Sequence, residues 1–177
     1  MSFKKILFTE EDIQKRIKEL GQQITRDYHD KDLMVIGILK GSVIYLADLL
    51  RHIDTPVLLD FMSVSSYQEK SYSNGEVRVL KDLDYSVEGK DVLIVEDIID
   101  SGYTLKYLLD SIKLRGASSV NITAFLDKKE CRKVDVDVKY VGYTVENEFI
   151  VGYGLDYNES YRNLPYLAAL KEEMIIS

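Results

Sequence analysis

The chain predicts an α/β fold in which a mostly parallel central sheet is flanked by helices. Two unbroken apolar runs, Leu33–Leu39 and residues 92–95, are rich in β-branched side chains, as strands buried on both faces require. Each is followed by polar and glycine residues and then by apolar residues at helical spacing, the strand-turn-helix rhythm of a parallel sheet. At 177 residues, 46% hydrophobic and 30% charged, the chain has room for a substantial core and reads as one domain over 1–177.

Taken in order, Thr9 followed by Glu10, Glu11 and Asp12 reads as a capped helix start, and Ile13, Ile17, Leu20 and Ile24 then recur at spacings of four, three and four. Asp30-Lys31-Asp32 turns the chain into the first central strand, Leu33–Leu39, which ends at Lys40-Gly41-Ser42. A helix through Val43, Leu46, Ala47, Leu49 and Leu50 follows. Residues 57–64 read as the next strand. Residues 65–76 hold Ser, Tyr, Gln, Glu, Lys, Asn and Gly but almost no aliphatic side chain, so this loop cannot bury itself. Asn74-Gly75 is a good hairpin turn before a strand at 76–80. After the second central strand, Leu105, Leu108, Leu109 and Ile112 line one face of a helix that Gly116 ends. A strand over 120–126 delivers Asp127-Lys128-Lys129 to the ligand edge, short strands follow at 138–143 and 149–153, and the tail from Leu164 completes a small cap beside the sheet.

The chemistry concentrates where the second central strand stops, at Glu96-Asp97. Open α/β sheets bind ligands beyond the C-terminal ends of their strands, and adjacent carboxylates there are costly without a role. Asp100-Ser101-Gly102-Tyr103-Thr104 then supplies a turn and a helix start: Gly102 lets backbone approach a ligand, Ser101 and Thr104 add hydroxyls, and free amides make an anion nest. Acids for sugar hydroxyls or a metal, followed by amides and hydroxyls for a phosphate, suit a phosphorylated sugar. An ordinary turn with Asp100 as a helix cap explains Asp100 and Ser101 but leaves Glu96 and Asp97 idle. Neither a Walker-type loop nor a dinucleotide fingerprint is present.

Composition narrows the partners. A formal charge of −7 argues against nucleic acid, and it requires that a site for an anionic substrate be made locally positive by amides, a few basic side chains and a divalent metal, with magnesium the natural choice. No membrane span is indicated, and the N-terminal apolar patch is too short for a signal-peptide core. The lone Cys131 cannot form an intrachain disulfide, which agrees with a cytoplasmic setting.

The run Glu96-Asp97-Ile98-Ile99-Asp100-Ser101-Gly102-Tyr103-Thr104-Leu105 after an apolar strand resembles the signature of the type I phosphoribosyltransferases that use phosphoribosyl pyrophosphate. Gly37-Ile38-Leu39-Lys40-Gly41, Ser66-Tyr67, and the segment from Phe149 to Tyr157 match the 6-oxopurine branch in the same order, so the resemblance covers nearly the whole chain. It implies the type I fold, with a small hood built from the chain ends and a flexible lid over 65–76, in which Ser66 and Tyr67 reach toward the reacting sugar. It assigns phosphoribosyl and phosphate binding to Glu96, Asp97, Asp100, Ser101, Gly102, Tyr103 and Thr104, and pyrophosphate binding to Lys40, Gly41 and Arg162. Lys128 would bond the purine 6-oxo group, Phe149 would stack on the base, and the backbone of Ile150 would read its edge. Asp156 would serve both purine and metal, with Glu96 and Asp97 as further magnesium ligands. Lys40, Lys128 and Phe149 read from the residues alone also suit solvated lysines and a core aromatic. The resemblance further implies a cis peptide at Leu39-Lys40, which its cost of about 3–4 kcal/mol hides from sequence reasoning.

The implied reaction is magnesium-dependent transfer of phosphoribosyl to N9 of hypoxanthine or guanine, giving IMP or GMP and pyrophosphate, by a homodimer or homotetramer. Asp100 is the expected general base. Two rivals stand beside it: an RNA-binding regulator that retains the phosphoribosyl site, and a transferase for orotate or adenine. The aspartate at position 100 and the net charge speak against the first, and the Phe149 to Asp156 segment against the second.

Overall fold

The computed structural model describes residues 2–66 and 77–175. Its larger sheet is built from β2 (Leu33–Leu39), β3 (Val57–Ser66), β4 (Val77–Lys81), β5 (Asp91–Ile99), β6 (Ser119–Asp127) and β7 (Tyr140–Thr144), in the order β4-β3-β2-β5-β6-β7. All neighbours pair in parallel except β4, which returns antiparallel along β3. The predicted mostly parallel α/β sheet is thus observed. The Asn74-Gly75 turn, Tyr67 and most of the expected lid lie outside the described residues.

The two central strands bury alternate residues on opposite faces, as the two-residue period of a strand demands. On one face Leu33, Val35, Leu93 and Val95 pack beneath α1 (Glu10–Asp27) and α2 (Val43–Leu50), which contribute Ile13, Ile17, Leu20, Ile24, Tyr45, Leu46 and Leu49. On the other, Met34, Ile36, Ile38, Val92 and Ile94 pack beneath α3 (Tyr103–Leu114), through Leu105, Leu108 and Ile112. The α1 periodicity is the predicted one. Thr9 caps it reciprocally with Asp12: the Asp12 amide donates to Thr9 Oγ1 at 3.2 Å while the Thr9 amide donates to Asp12 Oδ2 at 3.0 Å.

A second, three-stranded sheet pairs β1 (Phe3–Phe8) with β9 (Leu167–Leu170) and β9 with β8 (Ile150–Val151), all antiparallel. This is the expected hood, and it joins both chain ends. Two details differ from the sequence reading. The short strand expected at 149–153 spans only two residues and belongs to the hood, because Gly152, with φ +97°, turns the chain away at once. And β5 does not stop at Glu96: it pairs with β6 as far as Ile99, since a hydrogen-bonded neighbour sustains a strand through polar residues.

Candidate active site

Chain order places the site. From β2 the chain moves to β3 on one side, whereas from β5 it proceeds through β6 and β7 on the other, so the loops after β2 and β5 diverge at a topological switch point. The β2–β5 pairing ends at Gly37 opposite Val95, and from Glu96 onward β5 keeps only its β6 neighbour. A cleft of about 470 Å³ opens at that step. Its walls carry Gly41, Glu96, Asp97, Asp100, Ser101, Gly102, Thr104 and Asp156 over a floor that includes Ile38, Val64 and Ile99.

The carboxylate pair is strained electrostatically. Burial pushes the Glu96 carboxyl well above its ordinary value, and the adjacent Asp97 charge adds to this. Burial also raises Asp97, against hydrogen bonds and the charge of Arg162 that favour its ionised form. The Ile98 amide donates to Asp97 Oδ1 at 2.6 Å, fixing the side chain. A carboxyl raised in the folded state destabilises the fold once ionised: the penalty is absent below the unfolded value of 4.5, grows as pH rises and is complete above the raised folded value. Glu96→Gln should therefore stabilise the ligand-free protein at pH 8 by about 0.5–2 kcal/mol, as removals of functional strain do. Melting curves should show the gain at pH 8 and its loss near pH 4.5; equal gains at both values would remove the ionisation argument.

Past the strand, Gly102 takes φ +89° and holds the position before α3. Gly102, rather than Asp100, is the helix cap. A side chain there would be strained by the backbone and pressed against Val134 and Val136 at 3.3 Å. The first-turn amides of α3, which have no partners within a helix, are presented beside Ser101 and Thr104 at the cleft wall. Tyr103 is 43% exposed and is not among the residues that line the cleft.

Lys128 follows β6 directly, and its amide donates to Ile99 O at 3.0 Å. Its side chain is almost wholly buried, and its ammonium lies 3.3 Å from Asp100 Oδ1, bringing the candidate base and the candidate purine-reading cation together. Asp127, expected beside it at the ligand edge, is instead buried and held by Arg132 Nη2 at 2.8 Å. Arg132 also donates to Val136 O at 3.0 Å, clamping the segment whose Lys133 amide donates to Ser101 O at 2.8 Å. No local sequence pattern announces this clamp.

Across the cleft, the Leu39-Lys40 peptide is cis, as the resemblance implied. Gly41 then passes so close to Asp97 that a Cβ would stand 1.7 Å from Asp97 Oδ2. The loop after β8 closes the other side. Gly154 abuts the carbonyl of Gly41, Arg162 Nη1 donates to Gly154 O at 2.8 Å, and Arg162 Nη2 lies 3.2 Å from Asp156 Oδ1. Phe149 is 38% exposed, with the Tyr157 ring edge-on at 5.3 Å, so its face is neither buried as core nor fully in water. Ile150 is buried in the hood and paired with Ala169. Ser66 ends β3, with its backbone opposite Val77.

Glu96, Asp97 and Asp156 border one cleft, yet among the described residues no three His, Cys, Asp or Glu side chains gather closely enough to hold a metal unaided. An all-oxygen set of this kind suits a hard divalent cation that completes its shell with water and substrate phosphates. A residue the sequence reading missed is Glu159, whose carboxylate contacts both Lys40 and Arg162. It lies in a polar turn with no distinguishing pattern, and only the fold brings it opposite Lys40.

A family description of the phosphoribosyl transferase domain matches residues 5–158. The chain belongs to the phosphoribosyltransferase family. Among relatives of this phosphoribosyltransferase, the hypoxanthine-guanine phosphoribosyltransferase of Streptococcus agalactiae is 56% identical over 171 residues, covering 97% of this chain and 95% of its own length. A crystal structure of a hypoxanthine phosphoribosyltransferase from Staphylococcus aureus superposes with a TM-score of 0.96 at 50% identity, covering 99% of this chain and 96% of that one. A hypoxanthine-guanine phosphoribosyltransferase from Bacillus anthracis gives 0.91 at 45% identity, over 96% of this chain and 98% of that one.

Proposed function

We infer that the chain is a purine-salvage enzyme that transfers the phosphoribosyl group of phosphoribosyl pyrophosphate to N9 of hypoxanthine or guanine, releasing pyrophosphate and yielding IMP or GMP. The observation that carries this reading is the pairing of Asp100 with Lys128 at 3.3 Å, with Asp100 in the cleft wall beside the Ser101-Gly102 turn. A base for the purine proton and a donor for its 6-oxo group then stand within one ligand's reach.

As C1′ loses pyrophosphate, positive charge builds on the ribose, and the carboxylates of Glu96 and Asp97 orient its hydroxyls and face that charge. Asp100 takes the N7 proton of the base, which returns electron density to N9 as the N9–C1′ bond forms. Ser101, Thr104 and the α3 amides hold the 5′-phosphate, while Lys40, Gly41 and Arg162 receive the pyrophosphate. Lys128 bonds the 6-oxo group, Phe149 stacks on the ring, and the backbone of Ile150 meets the base edge. Ser66 and Tyr67 belong to a lid that keeps water from the cationic sugar. We assign magnesium to Glu96, Asp97 and Asp156 with the substrate phosphates, where it would neutralise the leaving group. We further propose a homodimer or homotetramer in the cytoplasm; no helix among the described residues is long and apolar enough to cross a membrane.

The test is a spectrophotometric assay with phosphoribosyl pyrophosphate, magnesium and, in parallel, hypoxanthine, guanine, xanthine and adenine. Turnover of hypoxanthine and guanine without adenine is the expected result. Turnover of adenine, or of no base while phosphoribosyl pyrophosphate still binds, would overturn the reading, the latter in favour of a regulatory binding protein.

A further inference from the structure

We propose that Glu159 is a built-in stand-in for the departing pyrophosphate, occupying Lys40 and Arg162 in the empty enzyme and yielding them when the anion binds. This rests on the assignment of those two cations to pyrophosphate. The geometry is direct: Glu159 Oε2 lies 3.2 Å from Lys40 Nζ, and Oε1 lies 3.3 Å from Arg162 Nη2. One carboxylate thus bridges a residue of the loop after β2 and a residue of the loop after β8, and Glu159 itself stands 119 positions from Lys40 in sequence.

The turn is shaped to present this group. Asn158, Glu159 and Tyr161 have φ of 49°, 58° and 79°, a conformation that glutamate and tyrosine seldom adopt. The Glu159 amide donates to Asp156 Oδ2 at 2.9 Å, tying the turn to a carboxylate of the cleft wall. Arg162 remains bound to Gly154 O and Asp156 when Glu159 leaves, so its guanidinium stays aimed. Lys40, 68% exposed, has only Glu159 among its ion-pair partners in the described residues. Hydrogen bonds from Lys40 and Arg162 hold the Glu159 carboxyl below its ordinary value, so it is a full anion at neutral pH.

Two functions follow from one carboxylate. It keeps a long, mobile lysine near its working position without substrate, reducing the ordering needed on binding. It also competes with pyrophosphate for the same cations and so hastens product departure. Because the pairs are exposed they are weak, which makes displacement easy and bounds the effect to a few fold.

Pyrophosphate binding, measured by calorimetry in magnesium buffer on the full chain, tests this. Glu159→Gln should tighten it by about two- to fivefold, the range open to exposed ion pairs. The KM for phosphoribosyl pyrophosphate should fall in parallel, with the KM for hypoxanthine unmoved. A general loss of negative field would do the same, so the decisive arm repeats the substitution in a Lys40→Ala background. There most of the gain should vanish. Unchanged or weaker pyrophosphate binding in Glu159→Gln, or an undiminished gain without Lys40, would overturn the proposal. If Lys40→Ala alone left pyrophosphate affinity unchanged, the assignment of Lys40 beneath the proposal would fall instead.

Discussion

Asp100→Asn should lower kcat for hypoxanthine by about 10²–10⁴-fold, the range of a lost general base, while leaving the affinity for phosphoribosyl pyrophosphate within about threefold. The separation follows from where Asp100 stands. Its carboxylate is exposed at the end of β5 and leans toward Lys128, on the base side, whereas the phosphate amides begin beyond it at Gly102. Asparagine keeps the shape and can still bond Lys128, but it cannot accept the N7 proton. Equilibrium binding of phosphoribosyl pyrophosphate and single-turnover rates measure the two halves independently. Turnover within tenfold of the parent would show that the proton leaves to water or another group. Equal loss of turnover and phosphoribosyl pyrophosphate affinity would move Asp100 from the chemistry to the phosphate site.

The legible parts of this fold were those written in local pattern. Ile13, Ile17, Leu20 and Ile24 announced α1, with Thr9 as its cap; the apolar runs announced β2 and β5, and the carboxylates at the end of the second run pointed to the ligand edge. β1 has no local signature because Phe3–Phe8 interrupts its apolar residues with Lys4-Lys5, both in ion pairs with Glu148, and its partner strand β9 is distant in sequence, Leu170 standing opposite Phe3 and Leu167 opposite Phe8. β5 was cut short at Glu96 because carboxylates look like a strand end, when only the β2 edge ends there. Of the site, Asp100, Ser101 and Gly102 were legible because they are neighbours in sequence. The Asp100–Lys128 contact, the Glu159 bridge and the Arg132 clamp join residues distant in sequence and have no local signature. The roles of Lys40, Lys128, Phe149 and Asp156 came from resemblance, because a lysine at a strand end or a phenylalanine in a strand has the same composition whether or not it meets a ligand.

Gly41→Ala should reduce kcat/KM by at least about 10²-fold, the scale of a displacement near 1 Å in a reacting geometry, with the fold intact. Backbone freedom is not the reason, since Gly41 does not have positive φ; space is. The new methyl would stand 1.7 Å from Asp97 Oδ2 and 2.7 Å from its Cγ, so Asp97 must turn away or the Lys40-Gly41 loop must lift. The bond from the Ile98 amide resists the first, and Gly154, packed on the Gly41 carbonyl, resists the second. Both outcomes separate the Asp97 carboxylate from the Lys40-Gly41 loop, to which we assign ribose and pyrophosphate respectively, and neither reaches the two buried clusters of the core. The melting temperature should therefore move by no more than about 4 °C, the shift expected for 1 kcal/mol in a chain of this size. A double-mutant cycle isolates the cause. In an Asp97→Ala background the methyl meets no carboxylate, so adding Gly41→Ala should lower kcat/KM by less than about fivefold. A full additional 10²-fold loss there would mean that Gly41 is required for close approach of the anion itself, and that its contact with Asp97 is incidental.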